Sequence, residues 1–377
     1  MKVNIDDYRC AARRKLPRFV FDYVDGAAGD ELCMARNVSD LQALRLLPQV
    51  LRDTAEVDTS VDVFGQRWRA PLGVAPLGMT GLVRPGGDVI MAQAAAEAGV
   101  PYVLSTASNS RLEAVGEATP GGVRWMQLYV MHDRRIAEHI CRRARAAGFG
   151  ALVLTVDVPV GGNRERDVRH GFRLPLKPGP AMAWDVLRHP AWLAALARHG
   201  SPRFVNLAER EDDRTSAQVQ AMLLARAMDR KLSWESLGWL RACWDGPLLI
   251  KGLLHPDDAK EAVLRGADGV IVSNHGGRQL DAAPSAIAAL PGVLDAVEGR
   301  VPVFADGGFR RGEDVAKALA LGARAVFVGR PPLYGLAAAG RQGALAVLQK
   351  LCAEFEQALI LMGARSPAGL LPEHVLR

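Results

Sequence analysis

Eight short apolar runs, separated by turns rich in glycine, constrain the fold of this 377-residue chain more than any other feature. Strands that are buried on both faces read in this way, without alternation of polar and apolar residues. Most of the gaps between the runs hold one amphipathic helix that ends at a glycine. The runs cover residues 71–77, 101–106, 123–129, 151–157, 247–252, 269–274, 302–307 and 325–330, and the clearest helices are predicted at 87–99, 133–148, 255–266 and 312–322.

This eightfold alternation predicts an α/β fold, a closed (β/α)8 TIM barrel whose active site forms at the carboxyl ends of the strands. An open doubly wound sheet is the weaker alternative, because its phosphate loop belongs in the first βα turn and residues 71–78 do not read G-x-G-x-x-G. We treat residues 1–377 as a single domain. Its parts are a helical N-terminal extension at about 1–65, the barrel at about 66–352 and a C-terminal tail at about 353–377.

A long insertion follows the fourth predicted strand. About ninety residues separate Asp157 from Pro247, where a βα loop usually has two to six. Residues 161–203 carry eight Lys and Arg against three Asp and Glu, with Phe172, Trp184 and Trp192 among them. Basic and aromatic residues together suit an anionic bilayer surface. The insertion at about 161–230 is therefore predicted to be either a membrane-facing segment or a mobile, solvated lid.

The charge balance favours anionic partners, since the net charge is +6. Nucleic acid is not expected, because no recognition-helix, zinc-finger or RNP pattern occurs. The five cysteines are scattered without C-x-x-C spacing, so neither a disulfide framework nor a metal site is predicted. Apolar runs too short to cross a bilayer and residues 1–8 unlike a signal peptide lead us to expect a cytoplasmic protein, with peripheral contact at the inner face of the cell membrane as a second expectation.

Residues 274–278, with the sequence NHGGR, follow directly after the sixth apolar run. They place the imidazole of His275 and the guanidinium of Arg278 three residues apart at a strand end, which suits an enzyme that holds a carboxylate and takes a proton from the carbon beside it. The two glycines allow a sharp bend and the close approach of a ligand. At the fourth strand end, Asp157 could orient an imidazole and Arg164 could supply a second guanidinium.

The loops after the last two strands have the character of a phosphate site. Residues 306–312, with the sequence DGGFRRG, follow the seventh strand, and residues 328–330 close the eighth. Barrel enzymes often bind phosphate at these two loops, through backbone N–H groups at a helix start and a cation. Arg310 and Arg330 could each supply that cation, so a phosphorylated cofactor or substrate is predicted.

Lys251 ends the fifth strand behind four apolar neighbours. Two functional roles compete for such an amine: a Schiff-base nucleophile, or a fixed positive charge that stabilises a developing anion. A structural lysine with a buried stem is the third possibility. Period-2 geometry places Gln127 and Tyr129 on one side of the third strand, and Thr155 and Asp157 likewise on the fourth, facing the same volume.

Three stretches together resemble the FMN-dependent 2-hydroxy acid dehydrogenases and oxidases, the family of glycolate oxidase and L-lactate dehydrogenase, and most closely its (S)-mandelate dehydrogenase branch. They are residues 273–281 (SNHGGRQLD), 306–312 (DGGFRRG) and 317–323 (KALALGA). The resemblance extends over nearly the whole chain.

The resemblance implies a role for each candidate residue. His275 would be the base acting on the substrate α-carbon, with Asp157 stabilising the imidazolium. The carboxylate clamp would be Arg278 and Arg164, with Tyr23 and Tyr129 as further substrate ligands. FMN would be held by Pro76, Leu77, Gly78, Ser105, Gln127, Thr155, Lys251 and Ser273, and its phosphate by Asp306, Gly307, Gly308, Arg310, Gly329 and Arg330. This favours Lys251 as a fixed charge near the flavin.

Two departures from the family pattern bear on the redox properties of the flavin and on the substrate, in that order. Residues 76–78 read Pro-Leu-Gly where the family has Pro-Thr-Ala or Pro-Thr-Gly, which removes a hydroxyl near the flavin. The strand-two loop, residues 105–108, lacks the bulky tryptophan of glycolate oxidase and predicts a roomier pocket. The resemblance implies oxidation of a mandelate-like (S)-2-hydroxy acid or L-lactate to the 2-oxo acid, by proton abstraction or hydride transfer.

The same resemblance implies electron transfer from FMN to a quinone or other acceptor, and a homo-oligomer, a tetramer by analogy. Three alternatives stay open at this point. One is a dioxygen-using oxidase that releases hydrogen peroxide. The others are a barrel lyase with a Schiff base on Lys251 and a non-enzymatic phosphate-binding scaffold, which the convergence of polar groups at strand ends disfavours.

Overall fold

Eight parallel strands close into a barrel in the computed structural model, which describes residues 1–171, 179–207 and 228–376. Going round the barrel, the strands follow the order β4, β5, β6, β7, β8, β9, β10 and β11. Seven of them lie within an apolar run, and β8 extends one residue beyond the fifth run, to Leu253, so the predicted (β/α)8 barrel is confirmed. The strands are β4 Leu72–Val74, β5 Tyr102–Leu104, β6 Arg124–Leu128, β7 Ala151–Thr155, β8 Leu248–Leu253, β9 Gly269–Val272, β10 Val303–Asp306 and β11 Ala325–Val328.

Two further pairs of short strands lie outside the barrel. β2 Val61–Val63 and β3 Gln66–Trp68 form an antiparallel hairpin, and β1 Arg45–Leu46 pairs with β12 Val375–Leu376. The helices of the described residues are α1 Ile5–Lys15, α2 Arg18–Asp25, α3 Leu32–Ala43, α4 Thr80–Val83, α5 Gly87–Ala98, α6 Leu112–Ala118, α7 Arg134–Ala146, α8 Glu165–Arg169, α9 Pro180–Leu187, α10 Pro190–His199, α11 Ser236–Cys243, α12 Pro256–Leu264, α13 Ala286–Val297, α14 Gly312–Ala320 and α15 Arg330–Met362.

Helices α1 to α3 form the N-terminal extension, as expected. Helix α1 packs against α15, and α3 packs against the turn that contains His275. Helix α15 is kinked at Ala339 and Gly340, whose backbone angles are not helical, and then continues to Met362, so the C-terminal tail expected from about residue 353 begins inside its second half.

The hairpin of β2 and β3 closes the amino-terminal end of the barrel with aromatic rings. Trp68 and Trp125 lie with their centroids 5.3 Å apart, and both rings contact Phe304 and Phe327. Four large rings from the hairpin and three barrel strands therefore fill this end, and edge-to-face geometry adds to the free energy of burial. We call these four residues the aromatic plug.

Replacing Trp125 with phenylalanine tests the plug. The indole is completely buried, and its Nε1–H donates to Gln66 Oε1 at 3.0 Å. Losing this hydrogen bond and part of the ring should lower the free energy of unfolding by about 1–2 kcal/mol, measured by urea denaturation. The matched control is Trp184→Phe, since the Trp184 residue is 66% exposed and should change stability by less than about 0.5 kcal/mol. Equal effects in the two variants would contradict this account of the plug.

The insertion after β7 contributes helices α8, α9, α10 and α11. Trp184 is exposed on α9, whereas Trp192 on α10 donates from Nε1 to the carbonyl of Leu82 at 2.8 Å and meets Phe19 edge-on. Phe172 lies outside the described residues, as do parts of the insertion at 172–178 and 208–227. Within the described ranges, no helix combines the length and the apolar character needed to cross a bilayer.

Candidate active site

A cavity of about 320 Å³ opens at the carboxyl ends of the barrel strands. Its walls contain most of the residues that the sequence predicts for the site, drawn from both ends of the chain. These are Tyr23, Pro76, Leu77, Gly78, Ser105, Tyr129, Arg164, Lys251, His275, Arg278, Asp306, Gly307, Gly308, Arg310, Gly329 and Arg330. The other four candidates lie at or just beyond strand ends, and each contacts a residue of the cavity wall. Gln127 contacts Ser105, Thr155 pairs with Lys251 in the sheet, Asp157 contacts His275 and Ser273 contacts Lys251.

The turn after β9 presents the imidazole. His275, Gly276 and Gly277 all have positive φ values, of 58°, 64° and 76°. A non-glycine residue in the left-handed region is uncommon and often marks a functional position. A Cβ built at Gly277 would lie 2.6 Å from the backbone nitrogen of Met34, so helix α3 approaches the turn too closely for any side chain. The glycines are thus needed for both conformation and close approach.

The imidazole is held by a carboxylate from β7. His275 Nδ1 lies 2.9 Å from Asp157 Oδ1, and the backbone N–H of His275 donates to Ser273 Oγ at 3.0 Å. Burial raises the pKa of Asp157, but the charges of His275 and Lys251 outweigh it and hold this pKa below its ordinary value. Asp157 is therefore an anion that fixes Nδ1 as a donor, which leaves Nε2 as the nitrogen available to a ligand.

Lys251 lies in a buried network of polar groups. Its Nζ donates to Ser273 Oγ at 2.8 Å and lies 3.1 Å from Asp306 Oδ2 and 3.9 Å from Asp157 Oδ2. Burial lowers the pKa of Lys251, but the two carboxylates outweigh it and raise this pKa above its ordinary value. The amine is therefore a charged ammonium, which is a fixed positive charge and a poor nucleophile. This geometry disfavours the Schiff-base alternative.

Two guanidinium groups lie close to the same phenol ring. The guanidinium carbons of Arg164 and Arg278 lie 5.8 Å and 5.0 Å from the ring centroid of Tyr23. Burial, followed by the like charge of Arg164, lowers the pKa of Arg278 to about 10. Each positive charge therefore destabilises the other, and an anion bound between them would relieve that repulsion. The pair has the character of a carboxylate site.

The two tyrosines border the same volume. Tyr23 donates from its hydroxyl to the carbonyl of Gly78 at 3.4 Å. Burial, followed by the charge of Asp157, raises the pKa of Tyr129, so this phenol stays protonated and can donate. Reasoning from the residues alone missed Tyr23, because it lies in an N-terminal helix with no strand end nearby in sequence.

A cluster of ion pairs ties the start of the insertion to helix α2. Arg166 contacts three carboxylates, with N···O distances of 2.8–3.1 Å to Asp22, Asp25 and Glu31. Arg166 is two residues from Arg164, and Asp22 adjoins Tyr23. The cluster therefore fixes Arg164 relative to Tyr23, and it was not predicted from the sequence.

Hydrogen-bond donors without a partner lie at the strand ends on one side of the cavity. They provide a test of whether a flavin ring fits there. Gln127 Oε1 accepts hydrogen bonds from Ser105 Oγ and from the Thr106 backbone N–H. These two bonds fix the orientation of the side-chain amide and identify its other terminal atom as the Nε2 donor. Among the described residues, Gln127 Nε2 and Thr155 Oγ1 are buried without a hydrogen-bond partner. Buried donors of this kind normally have one, and the nitrogen and oxygen atoms of an isoalloxazine ring are suitable acceptors.

The opposite side suits a phosphate. Gly307 and Gly308 have φ values of 100° and 89°, and a Cβ on Gly308 would lie 2.0 Å from the carbonyl oxygen of Asn37. Arg310 borders this loop, and Gly329 is the N-cap of helix α15, whose first residue is Arg330. Glycines, a helix start and a cation together provide the elements of a phosphate site. Both halves of the cavity therefore fit FMN.

Apolar residues from the insertion complete the cavity wall. Phe204 and Met228 border it beside Met79, Ala107 and Leu333. Neither Phe204 nor Met228 was predicted, because no periodic pattern relates the insertion to the strand ends. No group of three or more His, Cys, Asp or Glu side chains suited to a metal occurs in the part of the chain that the structure describes.

Comparisons with known proteins agree with this geometry. The model of the FMN-dependent dehydrogenase family matches residues 12–377. The chain is 42% identical to (S)-mandelate dehydrogenase of Pseudomonas putida, over 99% of this chain and 93% of that protein, and 42% identical to L-lactate dehydrogenase of Ectopseudomonas mendocina (strain ymp), over 98% of each. A crystal structure described as that of the monotopic membrane protein (S)-mandelate dehydrogenase superposes with a TM-score of 0.95 at 42% identity, covering 99% of this chain and 98% of that one. The chain therefore belongs to the FMN-dependent dehydrogenase family.

Proposed function

We propose that this protein uses FMN to oxidise an (S)-2-hydroxy acid, mandelate-like or L-lactate, to the 2-oxo acid. The observation that carries the proposal is the convergence of one imidazole and two guanidinium groups on a single cavity whose other walls fit a flavin. The likeness to (S)-mandelate dehydrogenase and L-lactate dehydrogenase supports the substrate class.

The side chains have complementary tasks. Arg164 and Arg278 hold the substrate carboxylate, which neutralises the charge beside the reacting carbon. Tyr23 and Tyr129 donate hydrogen bonds to the bound acid. His275 takes a proton through Nε2, and Asp157 stabilises the imidazolium that forms.

The cofactor would be held along one side of the cavity. Ser105, Gln127, Thr155, Lys251 and Ser273, with residues 76–78, would contact the ring system, while the loops at 306–310 and 329–330 would hold the phosphate end. When bound, FMN supplies the acceptor for the two electrons that leave the acid. The ammonium of Lys251 provides a positive charge in a low-dielectric environment, where it is worth more than in water.

The substrate side chain would lie against the apolar wall. Ala107 is small, and Met79, Phe204, Met228 and Leu333 offer apolar surface without charge. An aryl or larger 2-hydroxy acid buries more apolar area there than lactate does, so we expect it to bind more tightly.

Anaerobic bleaching of the bound chromophore tests the proposal. We expect (S)-mandelate to reduce the flavin faster than L-lactate, glycolate or long-chain 2-hydroxy acids at equal concentration, followed as the loss of visible absorbance. A gently purified protein that is colourless and cannot be reconstituted with FMN would contradict the whole proposal. Bleaching by lactate alone would contradict only the aryl preference.

Replacing Arg164 with methionine should raise KM for the acid about 10- to 100-fold, because a charge-assisted hydrogen bond to the carboxylate is lost while the stem is kept. The rate of flavin reduction at saturating acid should fall much less. The matched control is Arg169→Met on the same short helix, where the arginine pairs with Glu165 at the surface. An unchanged KM in the Arg164 variant would exclude this residue from the clamp.

We propose that the electrons pass to a quinone in the membrane, with the insertion at 161–203 in peripheral contact with the inner face of the bilayer. The exposed Trp184 and Leu187 and the basic composition support this contact. Dioxygen is the alternative acceptor. Peroxide released in step with turnover, undiminished when a short-chain quinone is added, would favour the oxidase.

A further inference from the structure

The side chain of Arg330 is bonded to backbone carbonyls. Its Nε donates to the carbonyl of Val24 at 3.2 Å, Nη1 to Gly276 at 2.9 Å and Nη2 to Gly26 at 2.8 Å. One guanidinium at the start of helix α15 therefore joins the end of helix α2 to the turn that contains His275. Its planar set of donors is suited to holding three acceptors at once.

The carbonyls at the end of α2 need such partners. The last carbonyl groups of a helix have no partner within it, and a cation at that end also interacts favourably with the helix dipole. Arg278 Nη1 donates to the carbonyls of Tyr23 and Gly26, both at 2.8 Å. Two partly buried arginines thus dock the end of α2, which carries Tyr23, onto the barrel mouth.

The side chain of Arg310, unlike that of Arg330, forms a hydrogen bond within its own loop. Its Nη1 donates to the carbonyl of Phe309, the preceding residue, and within the described residues its guanidinium has no ion-pair partner. Arg330 is also the first residue of α15, and Pro331 and Pro332 after it carry no N–H. The backbone N–H groups of Gly329 and Arg330 are therefore the donors that this helix start can offer to an anion, independently of the Arg330 side chain.

We propose that Arg330 is a positioning residue whose side chain places Tyr23 and the His275 turn over the cavity, whereas Arg310 keeps the phosphate role that the proposed function already gives it. The proposal rests on the proposed function in that it assumes FMN and a 2-hydroxy acid as ligands. It assigns the two arginines of the phosphate loops to different tasks, although both follow the ends of neighbouring strands.

The affinities of the apoprotein for FMN and for riboflavin separate these tasks, because riboflavin lacks the phosphate. Titration followed by flavin fluorescence gives the ratio of the two dissociation constants. In Arg310→Gln we expect the preference for FMN to fall by at least about tenfold. In Arg330→Gln it should stay within about threefold of wild type. A loss of preference in Arg330→Gln as large as in Arg310→Gln would overturn the proposal, whereas failure of wild type to bind FMN would instead overturn the proposed function.

A double-mutant cycle tests the link to Tyr23. Alone, Arg330→Gln should raise KM for the acid by about tenfold, and in a Tyr23→Phe background it should raise it by less than about twofold, because the displaced phenol is already absent. Additive effects on KM would overturn the positioning role. The matched control is Arg341→Gln in the same helix, where the arginine pairs with Glu97 at the surface, and it should change neither KM nor the flavin ratio.

Hydrogen exchange provides a readout that does not need turnover and that serves if Arg330→Gln does not fold. Arg330→Lys keeps the charge but has no planar set of donors for three carbonyls. We expect faster amide exchange in residues 18–29 and 275–278 of this variant, with the preference for FMN over riboflavin retained. Wild-type exchange rates in both segments would overturn the proposal.

Discussion

Replacing His275 with alanine is expected to lower the rate of flavin reduction by the 2-hydroxy acid by about a thousandfold. General base catalysis by a positioned side chain contributes about 10²- to 10⁴-fold, and His275 is the imidazole held beside the two clamp arginines. Binding should persist, since Arg164 and Arg278 are unchanged. Stopped-flow absorbance under anaerobic conditions measures the rate constant, and the spectral shift on adding the acid measures binding.

The control for this variant is His255→Ala, an exposed histidine at the start of helix α12. It should reduce FMN at the wild-type rate. A His275→Ala protein that retains its flavin and is reduced within tenfold of wild type would show that another group removes the proton.

Replacing Asp157 with asparagine is expected to have an effect of comparable size, a loss of about 10²- to 10⁴-fold in the same rate constant. The amide has nearly the shape of the carboxylate, but it carries no charge to stabilise an imidazolium and can place an N–H opposite Nδ1, which favours the wrong tautomer. The 2.9 Å contact between Asp157 Oδ1 and His275 Nδ1 is the one that changes. The exposed Asp257→Asn is the control.

The pH dependence gives a second readout on Asp157. The pKa of Asp157 is depressed in the folded protein, because the charges of His275 and Lys251 outweigh its burial. The carboxylate is therefore ionised throughout the range above the ordinary pKa of an aspartate, about 4, and is lost only as the pH falls through a lower value. Between pH 5 and 8 the infrared difference between wild type and Asp157→Asn should thus show the bands of an ionised carboxylate. A protonated-carboxyl band in wild type that is absent from the variant would contradict this assignment.

The barrel could be predicted from the sequence because its strands are buried on both faces. Runs such as residues 269–274 and 302–307 have no polar alternation, and glycines end the helices between them, so both the type and the order of elements could be read directly. The ends of the strands then placed His275, Arg278 and Lys251 at one face of the barrel. Their hydrogen bonds followed from the closed geometry, which brings β7, β8, β9 and β10 together.

Other parts of the site depend on contacts between segments that no local pattern relates. Tyr23 reaches the cavity because Arg278 and Arg330 donate hydrogen bonds to backbone carbonyls at the end of α2. Every residue has a backbone carbonyl, so the sequence does not indicate which carbonyls these arginines bind. For Arg330, the place in a loop could be predicted from the sequence, but the direction of the side chain and its hydrogen-bond partners could not. Phe204 and Met228 border the cavity through the path of the insertion, which has no periodicity to guide prediction.

The aromatic plug also governs the order in which reactants can meet. Because Trp68, Trp125, Phe304 and Phe327 fill the amino-terminal end, the acid and the electron acceptor of the proposed reaction would both enter from the opposite rim, where the cavity opens. A cavity of about 320 Å³ that also holds FMN has little room for both molecules, so we expect the oxo acid to leave before the acceptor binds. Steady-state kinetics should accordingly follow a ping-pong scheme, with parallel double-reciprocal lines.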